Sequence, residues 1–320
     1  MPTVLIPDNV DQKAIDLLSK YDDLTIIAPG KLSQDELIAQ VPNADALIIR
    51  SGVQITPEVF AAASNLKAIA RAGVGVDNID LDAATAHGVV VMNTPGGNTI
   101  STAEHTFGLM LALARHIPQG NSSLKAGRWD RKQYVGVELK GKTLGVLGFG
   151  RIGQAVASRA LAFEMDVIAY DPFLDDSVFT STGIEWVDLD TLYARADFIT
   201  LHAPATPDTE GMINQASLAK MKDGVRIINA ARGALINDFD LAQALQSGKV
   251  AGAAVDVYVT EPPPADHPLL GFDTVIDTPH LAANTTDAQI TVAVEAAELV
   301  ADALRNQTYQ NVVNSAVLSD

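Results

Sequence analysis

The fold is decided by the stretch Lys142-Thr143-Leu144-Gly145-Val146-Leu147-Gly148-Phe149-Gly150-Arg151-Ile152-Gly153-Gln154-Ala155-Val156-Ala157. It places Gly-x-Gly-x-x-Gly between an apolar, strand-forming run and an alanine-rich run that favours a helix. Here Gly148 permits a tight turn, Gly150 lets the backbone approach a pyrophosphate, and Gly153 allows the helix to pack closely on the strand. The free amides at the start of that helix would face the phosphates. The stretch therefore predicts a dinucleotide site.

An acidic residue at the end of the next predicted strand indicates which dinucleotide is bound. Asp171 follows the run Val167-Ile168-Ala169-Tyr170, near the expected distance of about 20 residues from the glycines. A carboxylate there accepts hydrogen bonds from the adenosine ribose and repels a 2′-phosphate. NAD is therefore favoured over NADP. The alternative to a dinucleotide site is an ordinary glycine-rich turn that an acidic residue follows by chance.

The rest of the chain alternates apolar and amphipathic runs, which is the pattern of a parallel sheet covered by helices. The first part has predicted strands at 4–6, 24–27, 46–49, 67–70 and 89–91, and helices at 12–20, 34–40, 57–63 and 81–87. From the fingerprint onward the predicted strands are 143–147, 166–170, 198–201, 226–229, 253–257 and 275–277. We expect an α/β fold with two Rossmann-like or flavodoxin-like doubly wound parallel-sheet domains.

Two long apolar helices indicate how these domains are connected. The run 102–116 is apolar on most of its circumference, which predicts burial between domains or subunits. A less regular stretch, 119–140, follows it. The last helix, 287–305, is also largely apolar, and we expect it to return to the first domain. The predicted domains are therefore 1–98 with 287–320, which is discontinuous, and 99–286.

Composition excludes several classes of protein. The formal net charge of −17 makes nucleic acid a poor partner, and no apolar run is long enough to suggest a membrane span. No secretory signal is visible at the N-terminus, so cytoplasm is the expected compartment. The chain has no cysteine, which excludes disulfides and thiol nucleophiles. No cluster has metal-ligand spacing, and we expect no catalytic metal.

Three polar residues follow late strands of the second sheet, at the edge where ligands bind in open parallel sheets. They are Arg232, Glu261 and His280. Arginine can hold a substrate carboxylate with two parallel hydrogen bonds, and histidine can take a hydroxyl proton. A glutamate beside the histidine would stabilise the imidazolium. Singly, each could be a capping or loop residue, but together they predict oxidation of a small anionic 2-hydroxy acid.

Three other histidines are weaker candidates for the catalytic acid/base. His105 lies in the apolar helix and His87 at a helix end, where core or capping roles are expected. His202 ends a strand and is expected to line the cofactor cleft.

Motifs along nearly the whole chain resemble the D-isomer-specific 2-hydroxyacid dehydrogenase family, and within it the D-3-phosphoglycerate dehydrogenases. The matching motifs are Arg71-Ala72-Gly73-Val74-Gly75-Val76-Asp77-Asn78, Asn93-Thr94-Pro95-Gly96, the glycine fingerprint, Asn229-Ala230-Ala231-Arg232-Gly233, Ala254-Val255-Asp256-Val257, Glu261-Pro262 and Pro279-His280-Leu281. The resemblance implies that Arg232 binds the substrate carboxylate or carbonyl, that His280 is the acid/base, and that Glu261 is its partner.

The resemblance also implies the binding residues. The implied NAD site comprises Gly148, Gly150, Arg151, Ile152, Gly153, Asp171, His202, Ala203, Pro204, Ala230, Ala231, Asp256 and Ala282, with Asp256 on the nicotinamide carboxamide. The implied substrate site comprises Arg50, Ser51, Gly52, Arg71, Ala72 and Gly73, together with Arg232 and His280. The family forms homodimers through the helix that corresponds to 102–116.

The substrate implied by the resemblance is D-3-phosphoglycerate, oxidised to 3-phosphohydroxypyruvate in serine biosynthesis, since several arginines could hold a phosphate. The alternatives are a glyoxylate/hydroxypyruvate reductase or D-lactate dehydrogenase of the same family, and an NAD-sensing, corepressor-like binding protein. Val74 and Ala203 depart from the family pattern, and each would remove a hydrogen bond to the cofactor. The chain ends soon after Val313, so a short form without a C-terminal regulatory domain is expected.

Overall fold

A computed structural model describes residues 1–174, 178–179 and 182–318. This part of the chain divides into two compact units. The first runs from Met1 to Asn98 and resumes at Asn284, and the second runs from Thr99 to Ala283. Each has its own parallel sheet, so the predicted α/β fold class is confirmed.

The first unit's sheet has five strands among the described residues, all paired in parallel, in the order β2-β1-β3-β4-β5. Its strands are β1 (Thr3–Leu5), β2 (Thr25–Ile27), β3 (Ala46–Ile49), β4 (Ala68–Arg71) and β5 (Val90–Asn93). Its helices are α1 (Gln12–Leu18), α2 (Gln34–Gln40), α3 (Pro57–Ala62), α4 (Leu81–Ala86) and the C-terminal helix (Thr286–Asn306). This is the flavodoxin-like order, whose switch point lies between β1 and β3.

The C-terminal helix belongs to this first unit because its small apolar residues match the sheet. Ala296, Ala297 and Val300 are fully buried, and they join a core with Ile48 and Ala70 from the central strands. Alanine lets the helix axis approach the sheet closely, as the dense packing of protein interiors requires. This return of the chain makes the first unit discontinuous.

The second unit's sheet has the order β12-β11-β10-β9-β6-β7-β8 within the described part of the chain. Its strands are β6 (Thr143–Leu147), β7 (Asp166–Tyr170), β8 (Glu185–Trp186), β9 (Phe198–Leu201), β10 (Val225–Asn229), β11 (Val250–Val255) and β12 (Val275–Asp277). Its helices are α5 (Thr99–Arg115), α6 (Ile117–Lys125), α7 (Arg151–Ala162), α8 (Leu189–Arg195), α9 (Gln215–Lys220) and α10 (Asp238–Ser247), so the C-terminal helix is α11. This is the Rossmann order extended by one strand, with its switch point between β6 and β9.

Two details of the second unit differ from the sequence-based expectation. The predicted irregular stretch 119–140 begins as helix, because α6 continues to Lys125. Pro118 suits the first turn of a helix, and this outweighs the weak helix preference of the Gly, Asn and Ser residues that follow it. A short edge strand, β8, also adds to the six predicted strands. None of the described helices combines the length and the hydropathy needed to cross a bilayer.

Candidate active site

The glycine fingerprint forms a cradle at the switch point of the second unit. Gly148 has φ of +89°, a conformation that disfavours any side chain, and a Cβ there would lie 2.6 Å from the carbonyl carbon of His202. A Cβ on Gly153 would lie 2.2 Å from the Gly148 carbonyl oxygen. In contrast, a Cβ on Gly150 would meet open space. The backbone is thus packed tightly on two sides and open at the position where a pyrophosphate would approach.

Helix α7 begins directly at this opening. Gly150 is its N-cap and has no side chain to satisfy the first amides of the helix. Asp171 stands beside it, since one of its carboxylate oxygens accepts a hydrogen bond of 2.9 Å from the Phe149 amide and the other one of 2.9 Å from the Phe173 amide. Each carboxylate oxygen has two acceptor positions, so both can also accept from a ribose hydroxyl. These residues fit an NAD molecule.

His202 lies on the other side of the switch point. Its Nε2 is 2.9 Å from the Thr200 hydroxyl oxygen. Burial lowers the pKa of His202 to about 3, so this imidazole is neutral at physiological pH. A neutral ring beside the glycine turn adds no charge to the cradle, and it does not act as a titrating acid or base near neutrality.

Three neighbouring strands carry the predicted catalytic residues, because β10, β11 and β12 are adjacent in the sheet. The loop after β10 contains Arg232, whose Nη1 donates to the Ala231 carbonyl at 2.7 Å. A Cβ on the next residue, Gly233, would lie 2.1 Å from the carbonyl carbon of Tyr258. The arginine loop therefore packs directly on the loop that follows β11.

Glu261 and His280 form a direct pair at the ends of β11 and β12. Glu261 Oε2 lies 2.7 Å from His280 Nδ1, and Glu261 Oε1 accepts a hydrogen bond from the Tyr258 amide at 3.1 Å. A carboxylate only accepts, so Nδ1 carries the proton and Nε2 is the nitrogen left for proton transfer. The His280 side chain is 48% exposed, which makes it accessible to a ligand.

The main chain of His280 adopts an uncommon conformation, with φ of +54°. Its amide donates to the main-chain oxygens of Asp256 at 2.8 Å and of Thr278 at 3.0 Å. The turn that aims the imidazole is thus tied to the end of β11.

Asp256 lies beneath this turn and is fully buried. Burial alone would raise the pKa of its carboxyl group, but hydrogen bonds from His105, Thr278 and two main-chain amides outweigh that cost and hold the pKa below its ordinary value. The resemblance predicts a contact between Asp256 and the nicotinamide. In the structure its carboxylate faces the protein interior, so that role stays a prediction.

A second hydrogen-bonded group supports the loop after β11, which carries Glu261. The Tyr258 hydroxyl donates to Asp277 Oδ1 at 2.7 Å, and the Tyr258 ring meets His267 edge-on. His267 Nε2 lies 3.0 Å from Asp238 Oδ2. Burial raises the pKa of Asp238 and of Asp277. These contacts fix the loop that carries Glu261.

The predicted substrate residues Arg50, Ser51, Gly52, Arg71, Ala72 and Gly73 lie in the first unit, after β3 and at the end of β4. The Asp8 side chain holds the loop after β3 in place, because its Oδ2 accepts hydrogen bonds from the Arg50 amide at 2.9 Å and from the Gly52 amide at 2.8 Å. A Cβ on Gly52 would lie 2.4 Å from Asp8. This loop borders the switch point between β1 and β3, the ligand edge of such a sheet.

Comparison with known proteins identifies the family. Residues 107–282, more than half of the chain, match the model of the D-isomer specific 2-hydroxyacid dehydrogenase NAD binding domain. The chain belongs to this family. The predicted resemblance and the predicted cofactor, NAD, are confirmed.

Two curated relatives of this chain carry the same name. The chain is 49% identical over 97% of its length to the D-3-phosphoglycerate dehydrogenase of Archaeoglobus fulgidus, and 44% identical over 99% of its length to that of Rattus norvegicus. It spans 59% of the length of each. Among solved structures, a glyoxylate reductase from Paecilomyes thermophila has a TM-score of 0.89 and 30% identity, with 98% of each chain covered.

The apo structure of D-lactate dehydrogenase from Escherichia coli is also similar to this dehydrogenase chain. Its TM-score is 0.85 at 28% identity, and the match covers 98% of this chain and 100% of that one. The fold is therefore shared by proteins that are named for two different acids, glyoxylate and lactate.

Two polar residues of this candidate site are not predicted from the sequence. Thr278 donates to Asp256 Oδ1 at 2.6 Å, and its place after β12 could have marked it as a candidate. His105 was expected to be a core or capping residue, but its Nε2 lies 3.2 Å from the same carboxylate oxygen. No local signal reveals that contact, because it depends on how α5 packs across the sheet.

Proposed function

We propose that this chain forms the dehydrogenase part of an NAD-dependent enzyme that transfers hydride between NAD and a D-2-hydroxy acid, with D-3-phosphoglycerate as substrate and 3-phosphohydroxypyruvate as product. The observation that carries this proposal is the Glu261–His280 pair at 2.7 Å. The pair lies at the carboxyl ends of the strands, at the same edge of the sheet as Arg232. The name shared by the curated relatives supports the phosphorylated substrate.

Three residues of the second unit have different roles in the proposed reaction. Arg232 holds the substrate carboxylate by two parallel hydrogen bonds and so orients the carbon that bears the hydroxyl group. His280 Nε2 takes the hydroxyl proton as the carbon–oxygen double bond forms, and Glu261 stabilises the resulting imidazolium. NAD, when bound on the glycine cradle, supplies the acceptor for the hydride that leaves the same carbon. In the reverse direction His280 returns the proton.

The two units take different tasks in this proposal. Residues 99–286 bind NAD, while 1–98 with 287–320 bind the substrate; residues 319–320 lie outside the described part. Arg50 supports that assignment, because its Nη1 donates to the Asn9 carbonyl at 3.2 Å and its guanidinium carries further donors for a phosphate. Since NAD is an intracellular cofactor, we place the enzyme in the cytoplasm, which cell fractionation would check.

The choice of substrate is tested by measuring reduction of phosphohydroxypyruvate, hydroxypyruvate, glyoxylate and pyruvate with NADH. We expect kcat/KM to be highest for phosphohydroxypyruvate by about 100-fold, because a phosphate held by arginine gains charge-assisted hydrogen bonds that the other acids lack. In Arg50→Gln, KM should rise for the phosphorylated acid and stay unchanged for glyoxylate.

The possible outcomes of that experiment separate the alternatives. Preference for an unphosphorylated acid would replace phosphoglycerate by glyoxylate, hydroxypyruvate or lactate chemistry. NAD binding without turnover of any acid would overturn the enzymatic proposal and favour an NAD-sensing protein.

We also propose that a second copy of this chain covers an apolar surface on α6 and the segment after it. Most of the apolar residues of α5 are buried within the second unit, whereas Ile117, Leu124, Trp129 and Val135 are 56%, 59%, 80% and 77% exposed. Large exposed apolar side chains that recur within one short stretch of chain are a candidate protein interface. The homodimer expected through the helix 102–116 would thus extend onto this neighbouring surface.

Sedimentation equilibrium tests this dimer. We expect twice the chain mass for the wild type and the monomer mass for the double variant Leu124→Glu/Trp129→Glu, because buried carboxylates oppose association. Phe239→Glu is the matched control, since Phe239 is 71% exposed on α10, away from this surface in the sequence, and its variant should remain dimeric. A monomeric wild type would remove the proposal.

A further inference from the structure

A histidine on α5 faces the buried carboxylate beneath the His280 turn. His105 Nε2 lies 3.2 Å from Asp256 Oδ1 and 3.4 Å from the Thr278 hydroxyl oxygen. The side chain of His105 is 22% exposed and that of Asp256 is fully buried. Neither the family match nor the proposed mechanism assigns His105 a role in binding or catalysis.

The neighbouring atoms determine which way this hydrogen bond runs. The carboxylate of Asp256 only accepts, and the Thr278 hydroxyl already donates its proton to Asp256 Oδ1 at 2.6 Å. Both atoms near His105 Nε2 are therefore acceptors. Nε2 carries a proton and donates it, so His105 acts as a fixed donor from α5 to the carboxylate.

Asp256 in turn holds the segment that contains His280. Its carboxylate accepts from the Leu281 amide at 2.8 Å and from the Ala282 amide at 2.9 Å, while its main-chain oxygen accepts from the His280 amide. His280 is the first of these three consecutive anchored residues, and it has a positive φ of 54°. A non-glycine residue keeps this uncommon conformation only where surrounding contacts determine it.

We propose that His105 is a positioning residue for the proposed oxidation, and that it acts through Asp256 to hold the turn that aims the His280 imidazole at the substrate. The inference rests on the proposed function. His105 connects α5, which packs on β10, β11 and β12, with the turn after β12. The acid/base is thus oriented from two directions, by Glu261 on its ring and by the His105–Asp256 contact beneath its backbone.

The charges around Asp256 indicate how loss of His105 would change the pH dependence. Among the described residues, His105 contacts Asp256 from α5. The negative charge of Asp256 contributes to the raised pKa of Tyr258 in the loop after β11, and the Glu261–His280 pair lies next to this loop. Burial raises the pKa of Asp256, and several hydrogen bonds lower it. Among these hydrogen bonds, the one from His105 lowers the pKa most. We therefore expect removal of this donor to raise the pKa of Asp256, so that the carboxylate becomes protonated at higher pH than in the wild type.

The experiment compares His105→Leu with His105→Gln in the full chain. In His105→Leu we expect kcat to fall on the order of 10-fold, because small misplacement of a reacting group lowers the rate. The acid limb of the kcat profile should move to higher pH, since a protonated Asp256 no longer accepts all its hydrogen bonds. In His105→Gln the side-chain amide nitrogen takes the place of Nε2, and both properties should return towards the wild type.

Glu104→Gln is the matched control on α5. Glu104 is 64% exposed in its side chain and pairs with Arg159 on α7, so this variant should leave kcat and the pH profile unchanged. A His105→Leu enzyme with wild-type kcat and acid limb would overturn the proposal. Equal losses in the Leu and Gln variants would also overturn it, because they would show that only the shape of the histidine matters.

A second measurement keeps this inference separate from the proposed function. The ring carbon–proton NMR signal of His280, assigned by its absence in His280→Asn, reports the environment of the ring without any turnover. We expect this signal to shift at constant pH in His105→Leu and to return in His105→Gln. An unshifted signal would contradict the positioning role, whereas a wild-type protein without turnover would contradict only the proposed function.

Discussion

Replacing His280 with asparagine is expected to lower kcat by roughly 10²–10⁴, the range that general acid/base catalysis contributes. Asparagine lacks a group that can take up the hydroxyl proton, but it tolerates the positive φ of 54° at this position better than most residues. The loss should therefore come from chemistry rather than from a disturbed turn. Steady-state kinetics with phosphohydroxypyruvate and NADH measures the change.

The control for His280→Asn is NAD affinity measured by calorimetry, which should be nearly unchanged because the glycine cradle lies at a different strand end. Glu261→Gln should give a smaller loss of kcat, since glutamine still contacts Nδ1 but no longer stabilises an imidazolium by charge. Loss of NAD binding in His280→Asn would show that the residue is structural.

Replacing Arg232 with glutamine is expected to lower kcat/KM by about 10²–10⁴, because hydrogen bonds to a charged group contribute about 1.5–3 kcal/mol each and two would be lost. The backbone of Arg232 is extended, so glutamine fits its main-chain conformation without strain. The decrease should appear for every 2-oxo acid tested, because they share the carboxylate.

Arg232→Lys provides the comparison that separates charge from geometry. Lysine keeps the positive charge but cannot form two parallel hydrogen bonds, so this variant should recover only part of kcat/KM. If lysine restored full activity, Arg232 would act as a point charge and would not orient the substrate. If both variants were fully active, the carboxylate would bind elsewhere.

Much of the fold could be predicted because local patterns in this chain agree with one another. The fingerprint glycines, the apolar strands and the amphipathic helices gave both doubly wound sheets, with most boundaries within a few residues of the observed ones. Helix α6 is not predicted, because its proline-favoured first turn is followed by residues with weak helix preference. The two-residue strand β8 was missed because such a short segment has no periodicity to detect.

The candidate site was predictable to the extent that it follows strand ends. Arg232, Glu261 and His280 are predictable because each comes soon after a strand, and parallel strands bring such residues to one edge. The structure adds the direct contact of 2.7 Å between Glu261 and His280. The buried contacts of Asp256 were not predictable, because they join residues far apart in the chain.

By itself, the sequence determined the α/β class, the glycine turn with its neighbouring carboxylate, and the residues capable of acid/base and carboxylate chemistry. These depend on residue type and short spacing, which are written locally in the chain. Only the tertiary structure decided that His105 donates to Asp256, that Asp256 anchors the turn of His280, and that His280 adopts a positive φ. Burial, hydrogen-bond direction and strained backbone conformation arise from packing between distant segments, and no short motif encodes them.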